Sequence, residues 1–254
     1  MSAGFYARGD GWLHRLDTRV KVFLSLCLVV CCAIWGNWIF LAAVLVGIHV
    51  AFATDRTPWY AVGRCWAGLG PVLAIIGICL LFGLSDVGDD VAWQVGGWRV
   101  TLQALALNGT VLLRIADIVL AVLLTLVTTS DEQWTRGLSA LRVPYRIIAR
   151  WLRALHEIPA VFVNARRSRL MLSARGASLG VTARIRAWVE AWQTQAERND
   201  AVEQAMRTRG VFMDRHGARR TLANPAHMRA ADWVTLCLTL LALAGVIVMM
   251  AFGW

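Results

Sequence analysis

The sequence predicts an all-α, multi-pass membrane protein with about five transmembrane helices and a separate basic stretch of long amphipathic helices. Three observations lead there. The 254-residue chain is 58% apolar, against roughly 45–50% in soluble domains, and its mean hydropathy is +0.55. Its apolar residues are bunched into long runs instead of being spread at helical spacing. Its charge is segregated: 18 arginines and eight acids lie between Asp131 and Arg229, which is the whole formal charge of +10, and the remainder sums to zero.

Residues 1–19 are polar and carry Arg8, Arg15 and Arg19, with Lys21 at the membrane boundary. No cleavable leader is expected, because no small-residue cleavage site follows the first apolar run. Val20 to Trp35 and Trp38 to Ala53 are apolar runs split by Gly36-Asn37. Each is short for a span of about 17–25 residues, and together they are too long for one, so the pair reads as a helical hairpin. A loop with Asp55, Arg56 and Pro58 leads to a third run, Cys65 to Leu84. A loop with Asp86, Asp89 and Asp90 precedes the fourth, Trp98 to Thr128, and the fifth is Trp233 to Phe252. Basic loops mark the cytoplasmic side. An N-terminus inside places Arg56, Arg64 and the basic stretch inside and the acidic loop 85–97 outside. The expected organisation is a membrane domain over 1–130 with about four spans, a cytoplasmic domain over 131–230, and a last transmembrane helix over 231–254.

Arg114 and Asp117 stand three apart near the middle of the fourth run and so share a helix face. Charges at that depth are costly and usually face protein or a cavity. They are read either as a polar contact with a partner or ion path, or as an internal pair. A helix break at Asn108-Gly109, bringing Arg114 nearer the surface, is a further possibility.

The basic stretch divides into three amphipathic segments. The first, Asp131 to Arg142, starts after a candidate N-cap, Ser130, with acids in its first turn, and Pro144 ends it. The second, Tyr145 to Arg175, carries Ile147, Ile148, Trp151, Leu152, Leu155 and Ile158 at helical spacing, and Pro159 is expected to kink or restart it. The third, Val181 to Arg209, repeats the pattern with Ile185, Trp188, Val189, Trp192, Val202 and Met206. Neither long helix is apolar enough to span; each needs a wet face and a dry one.

Both long helices finish alike, on Ser173-Ala174-Arg175-Gly176 and Arg207-Thr208-Arg209-Gly210. Glycine after a helix end and arginine in its last turn are ordinary caps. Each arginine could equally project from its helix tip into an acidic groove of a partner, where its planar fork suits carboxylates.

Several chemistries find no support. There is no Gly-Lys-Ser/Thr phosphate loop, since Val20 precedes the only lysine, Lys21. H-E-x-x-H and G-x-S-x-G are absent, and His156-Glu157 has no companion ligands. The cysteines lie nearly all in apolar runs with no disulfide-like spacing. Cys27 and Cys31 could share a helix face, with packing the expected role rather than metal binding. No cofactor and no metal site are expected.

Read in order, the chain resembles the transmembrane T component of energy-coupling factor (ECF) transporters. Gly9-Asp10-Gly11-Trp12-Leu13-His14-Arg15-Leu16-Asp17-Thr18-Arg19-Val20-Lys21 is similar to that family's G-D/T-S-P-L-H-R-L-D-P-R-x-K opening, with Trp12 and Thr18 in place of prolines. The fourth run resembles the family's arginine-containing helix ending in Thr-Thr-Ser, here Thr128-Thr129-Ser130. Arg175-Gly176 and Arg209-Gly210 fall where the family has two Ala-Arg-Gly signatures, the second reading Thr-Arg-Gly. The resemblance covers nearly the whole chain.

The resemblance implies a non-catalytic coupling subunit in a bacterial or archaeal plasma membrane. Ala174, Arg175 and Gly176 with Thr208, Arg209 and Gly210 would contact two ABC-type ATPase subunits. Trp151, Leu155, Trp188 and Trp192 are candidates for the face toward a substrate-binding S component. The cargo would be a vitamin or a transition-metal ion such as cobalt or nickel, with biotin among the vitamins. The expected partners are these subunits, with the ATPases a homo- or heterodimer, and the bilayer; nucleic acid is not expected. The alternative is a membrane-anchored binder of anionic lipid or nucleic acid that uses the basic stretch as a patch. A third reading is a membrane enzyme using Arg114, Asp117 and a histidine.

Overall fold

The computed structural model describes residues 6–7, 9, 11–83, 90–95, 98–176, 180–210 and 227–251. Arg8, Asp10, Asp86, Asp89, Asp214 and the arginines of 211–226 lie outside them. The described residues form nine helices and one hairpin: α1 (Trp12–Arg15), α2 (Thr18–Ile34), α3 (Trp38–Thr54), α4 (Trp59–Gly83), β1 (Val91–Val95), β2 (Trp98–Thr101), α5 (Leu102–Thr128), α6 (Asp131–Ala140), α7 (Tyr145–Ala174), α8 (Val181–Thr208) and α9 (Ala230–Ala251). Two compact units result: Ala7–Ser130 with His227–Trp254, and Met1–Tyr6 with Asp131–Ala226.

In the first unit α5 is the common partner of α2, α3 and α4, while α9 packs against α2. Its core includes Leu16, Ile48, Phe52, Val62, Leu69, Leu120 and Leu124. Trp59–Gly83, Leu102–Thr128 and Ala230–Met249 are long and apolar enough to cross a membrane. Many of their large side chains face outward, Ile75, Phe82 and Leu241 among them, as lipid-facing helices require. Helices α2 and α3 have 17 residues each, the lower limit for a span. They turn at residues 35–37, where the Asn37 side chain accepts from the Ile39 N–H at 2.9 Å and caps α3.

The fourth apolar run does not start as a helix. Trp98–Thr101 pairs antiparallel with Val91–Val95, and α5 begins only at Leu102, capped by Thr101 Oγ1, which accepts from the Ala104 N–H at 3.1 Å. The β-branched residues Val91, Val95, Val100 and Thr101 favour strands, which local hydropathy alone does not reveal. From Leu102 the helix is continuous through Asn108-Gly109, so the break considered there is absent. Asn108 is buried and its Nδ2 donates to the Gly77 carbonyl of α4 at 3.0 Å.

The opening motif is folded around Asp55, which is fully buried. Its Oδ1 accepts from the Leu13 N–H at 2.8 Å, Thr57 Oγ1 donates to Oδ2 at 3.2 Å, and His14 Nδ1 lies 2.6 Å from Oδ2. Gly11 is pressed against the same residue: a Cβ there would fall 1.9 Å from Asp55 Oδ1 and 2.3 Å from its backbone oxygen. Gly11→Ala is therefore expected to displace α1 or the α3–α4 loop, at a cost of about 3 kcal/mol, the upper end of overpacking. A lower temperature for loss of monodisperse protein in detergent would register it.

In the second unit α7 and α8 lie side by side and α6 packs on α7. Arg153 reaches Glu203, Asn164 reaches Gln195 and Phe162 meets Trp188, so low numbers on one helix meet high numbers on the other and the pair is antiparallel. Val161, Ala165, Ala187 and Ala191 are buried; three of the four are alanines, whose small size lets the backbones approach. Helix α7 runs unbroken through Pro159, so no restart occurs there. The ring removes one donor, leaving the Leu155 carbonyl without its helical partner.

Candidate functional site

The two Arg-Gly helix ends have the same local geometry. At the end of α7 the Arg175 N–H donates to the Met171 carbonyl at 3.2 Å and the Gly176 N–H to Ser173 at 3.1 Å. At the end of α8 Arg209 donates to Ala205 at 3.2 Å and Gly210 to Arg207 at 3.0 Å. Gly176 (φ +72°) and Gly210 (φ +68°) are both left-handed, a conformation that glycine adopts without steric cost. Each chain thus turns off its helix directly after the arginine.

Ala174, Arg175, Thr208 and Arg209 are exposed. Neither Arg175 nor Arg209 has a side-chain hydrogen bond or ion pair among the described residues. Their neighbours are engaged differently. Arg207 donates to Glu203 Oε1 at 2.8 Å, and Arg153 donates to Glu203 Oε2 at 3.2 Å. These hydrogen bonds, first Arg207's and then Arg153's, hold the Glu203 carboxyl below its ordinary range. Because α7 and α8 are antiparallel, the two free arginines stand at opposite ends of the pair. A 1.5 Å rise over the 28 residues of α8 separates them by about 40 Å.

Between the tips lies an apolar surface. Trp151 and Leu155 are one turn apart on α7, as are Trp188 and Trp192 on α8. Trp192 is 68% exposed, Trp151 and Trp188 are also exposed, and Leu155 is half-buried. The stripes meet where the Phe162 ring stands edge-on to Trp188, with centroids 5.0 Å apart. Phe162 and Ile158 continue the Trp151–Leu155 stripe at helical spacing and are exposed. Phe162 was legible from that periodicity but not singled out. Trp151 also packs edge-on against Trp134 of α6 at 5.9 Å.

Arg114 and Asp117 share a face of α5, yet no ion pair joins them among the described residues. Arg114 Nη2 lies 3.0 Å from where a Cβ on Gly36 would sit, so the guanidinium reaches toward the turn between α2 and α3, as a long cation does to escape apolar depth. Asp117 is fully buried, and neither of its oxygens has a hydrogen-bond partner among the described residues. A third intramembrane polar group is satisfied: Trp66 Nε1 donates to His49 Nε2 at 3.0 Å, which leaves His49 Nδ1 to donate to the Leu45 carbonyl at 2.8 Å. No group of three potential metal ligands occurs among the described residues. His156 instead meets Asp131 at 2.8 Å.

Sequence reasoning missed the buried polar residues that hold the N-terminal segment. Lys21 Nζ donates to the Thr128 carbonyl at 2.9 Å, and Asp232 accepts from the Asp17 N–H at 2.8 Å and the Arg229 N–H at 2.7 Å. Nothing local in the sequence marks these residues as buried, since their partners lie 107 and 215 residues away.

The chain is similar to several known proteins. The CbiQ family, described as cobalt transport protein, matches residues 9–216. Several relatives are described as energy-coupling factor transporter transmembrane protein EcfT. One from Listeria innocua serovar 6a is 27% identical over 58% of this chain and 55% of its own, so the match spans little more than half of that relative. One from Thermosediminibacter oceani is 24% identical over 100% of this chain and 99% of its own. One from Heliobacterium modesticaldum is 25% identical over 92% and 91%.

Proposed function

Because the chain belongs to the CbiQ family of cobalt transport proteins, we propose that it is the transmembrane coupling subunit of an ECF-type importer. Its family makes it a membrane component of a transporter and not a catalytic enzyme. In this reading Arg175 and Arg209, each presented by its left-handed glycine, bind acidic grooves on two ABC-type ATPase subunits. The observation that carries it is the pair of matching arginine tips, unengaged among the described residues, at opposite ends of one antiparallel helix pair. Two tips about 40 Å apart suit two similar subunits better than one small groove.

The apolar surface around Trp151, Leu155, Trp188 and Trp192 takes the substrate-binding S component, since an exposed patch of this kind marks an interaction surface. ATP binding and hydrolysis would move α7 and α8 and so tilt the S component, delivering a vitamin or a transition-metal ion such as cobalt or nickel. The arginine-rich unit and the N-terminus lie in the cytoplasm of a bacterial or archaeal cell, with the spans in the plasma membrane.

Co-expression with candidate ATPases and an S component, followed by purification in detergent, tests the assembly. A chain that retains no ABC-type ATPase sinks the coupling reading. Trp188→Glu is expected to keep the ATPases but reduce S-component recovery at least about tenfold, because a central aromatic anchor is replaced by a charge. Unchanged recovery would move the S-component face elsewhere.

A further inference from the structure

The membrane unit holds both of its chain crossings with the same N-terminal segment. The chain leaves α5 for the arginine-bearing unit through Thr129-Ser130 and returns to α9 through residues 227–229. At the exit, the Lys21 ammonium of α2 donates to the Thr128 carbonyl at 2.9 Å, and the Ala7 N–H donates to Val127 at 3.1 Å. Lys21, Thr128 and Thr129 are all buried. At the return, Asp232 takes the N–H of Asp17, the cap of α2, on one oxygen and that of Arg229 on the other. Asp232 is buried as well. The Lys21 N–H donates to the Asp17 carbonyl at 3.2 Å, so the two grips share the first turn of α2. The Lys21–Thr128, Ala7–Val127 and Asp17–Asp232 contacts tie separate segments together, whereas the Arg229 N–H to Asp232 bond, three residues apart, caps the start of α9 itself.

We propose that Lys21 and Asp232 are positioning residues for energy coupling: they lock the end of α5 and the start of α9 onto α2 as one base. Displacement of α7 and α8 then reaches the spans instead of being absorbed in the two connectors. The proposal rests on the coupling function above.

The test uses the complete complex with Cys237, which is exposed on α9, as the single labelled cysteine after replacement of the other five by alanine. A fluorophore there reports nucleotide-dependent movement of the span, and ATP hydrolysis is measured in the same preparation. The wild-type signal is expected to change between the nucleotide-free and ADP–vanadate states. Lys21→Met and Asp232→Ala are expected to keep hydrolysis within about twofold while shrinking that change about tenfold, in line with losing a charge-assisted hydrogen bond. Lys21→Arg, which preserves a donor cation, is expected to restore most of it. An unchanged signal in both variants, a wild-type signal that does not respond, or equal loss of hydrolysis and signal would each overturn the proposal. So would failure of both variants to yield assembled protein, since the cluster would then serve stability alone. Absence of any ATPase from the wild-type preparation is a different failure, removing the coupling reading itself and the clamp's role with it.

Discussion

On the proposed coupling function, the double variant Arg175→Glu/Arg209→Glu is expected to remain folded and membrane-inserted but to retain no ATPase subunits, with uptake down by at least about a hundredfold. Removing one partner of a buried, hydrogen-bonded charge pair costs about 2–5 kcal/mol, and a glutamate facing an acidic groove adds repulsion. The two sites stand about 40 Å apart and share no partner, so their effects should be close to additive. Both arginines are exposed and unengaged among the described residues, so little stability is lost with them. Each single variant is expected to weaken ATPase recovery about tenfold or more.

Arg198→Glu, at an exposed position within α8, is the informative control and should change recovery less than about twofold. If Arg198→Glu weakened function as much as the tip variants, the basic stretch would be acting as a diffuse patch. The lipid or nucleic-acid reading would then gain, and a steep salt dependence of binding would accompany it.

The second large effect is on stability. Asp55→Ala is expected to cost about 3–5 kcal/mol, since several buried donors lose their acceptor at about 1–3 kcal/mol each. The substitution would remove the acceptor of the Leu13 N–H and the Thr57 hydroxyl and the carboxylate beside His14 Nδ1, all of which sit where water has little access. Asp55→Asn keeps an acceptor and nearly the same volume, so its loss should be smaller. Thermal loss of monodisperse protein in detergent measures both, and an Asp55→Ala chain as robust as wild type would show that the cluster contributes little.

Much of the fold was legible because apolar runs and cap chemistry are local. The run boundaries at Gly36-Asn37 and Pro144 reappear as helix ends, and Arg175-Gly176 and Arg209-Gly210 end helices as their residue types dictate. The illegible parts depend on partners distant in the chain. Trp98 reads as the start of a span, but the pairing of β2 with β1 claims it. Arg114 and Asp117 read as a possible i,i+3 pair, yet the arginine extends toward Gly36 on another element. Pro159 reads as a kink or a restart, and the helix continues through it beside α8 without restarting.

The sequence by itself determined the membrane character, the long apolar helices, the segregation of charge and the two arginine-ended helices, since hydropathy, net charge and helix capping act within a few residues. Only the tertiary structure decided that those tips lie at opposite ends of one pair, and that Trp188 and Phe162 join two stripes into one surface. It also decided that Asp55, Lys21 and Asp232 are buried. Asp55 meets a segment 42 residues earlier and Asp232 meets one 215 residues away. A carboxylate at the edge of an apolar run carries no local mark of such a partner, and its burial becomes tolerable only once the fold supplies the donors.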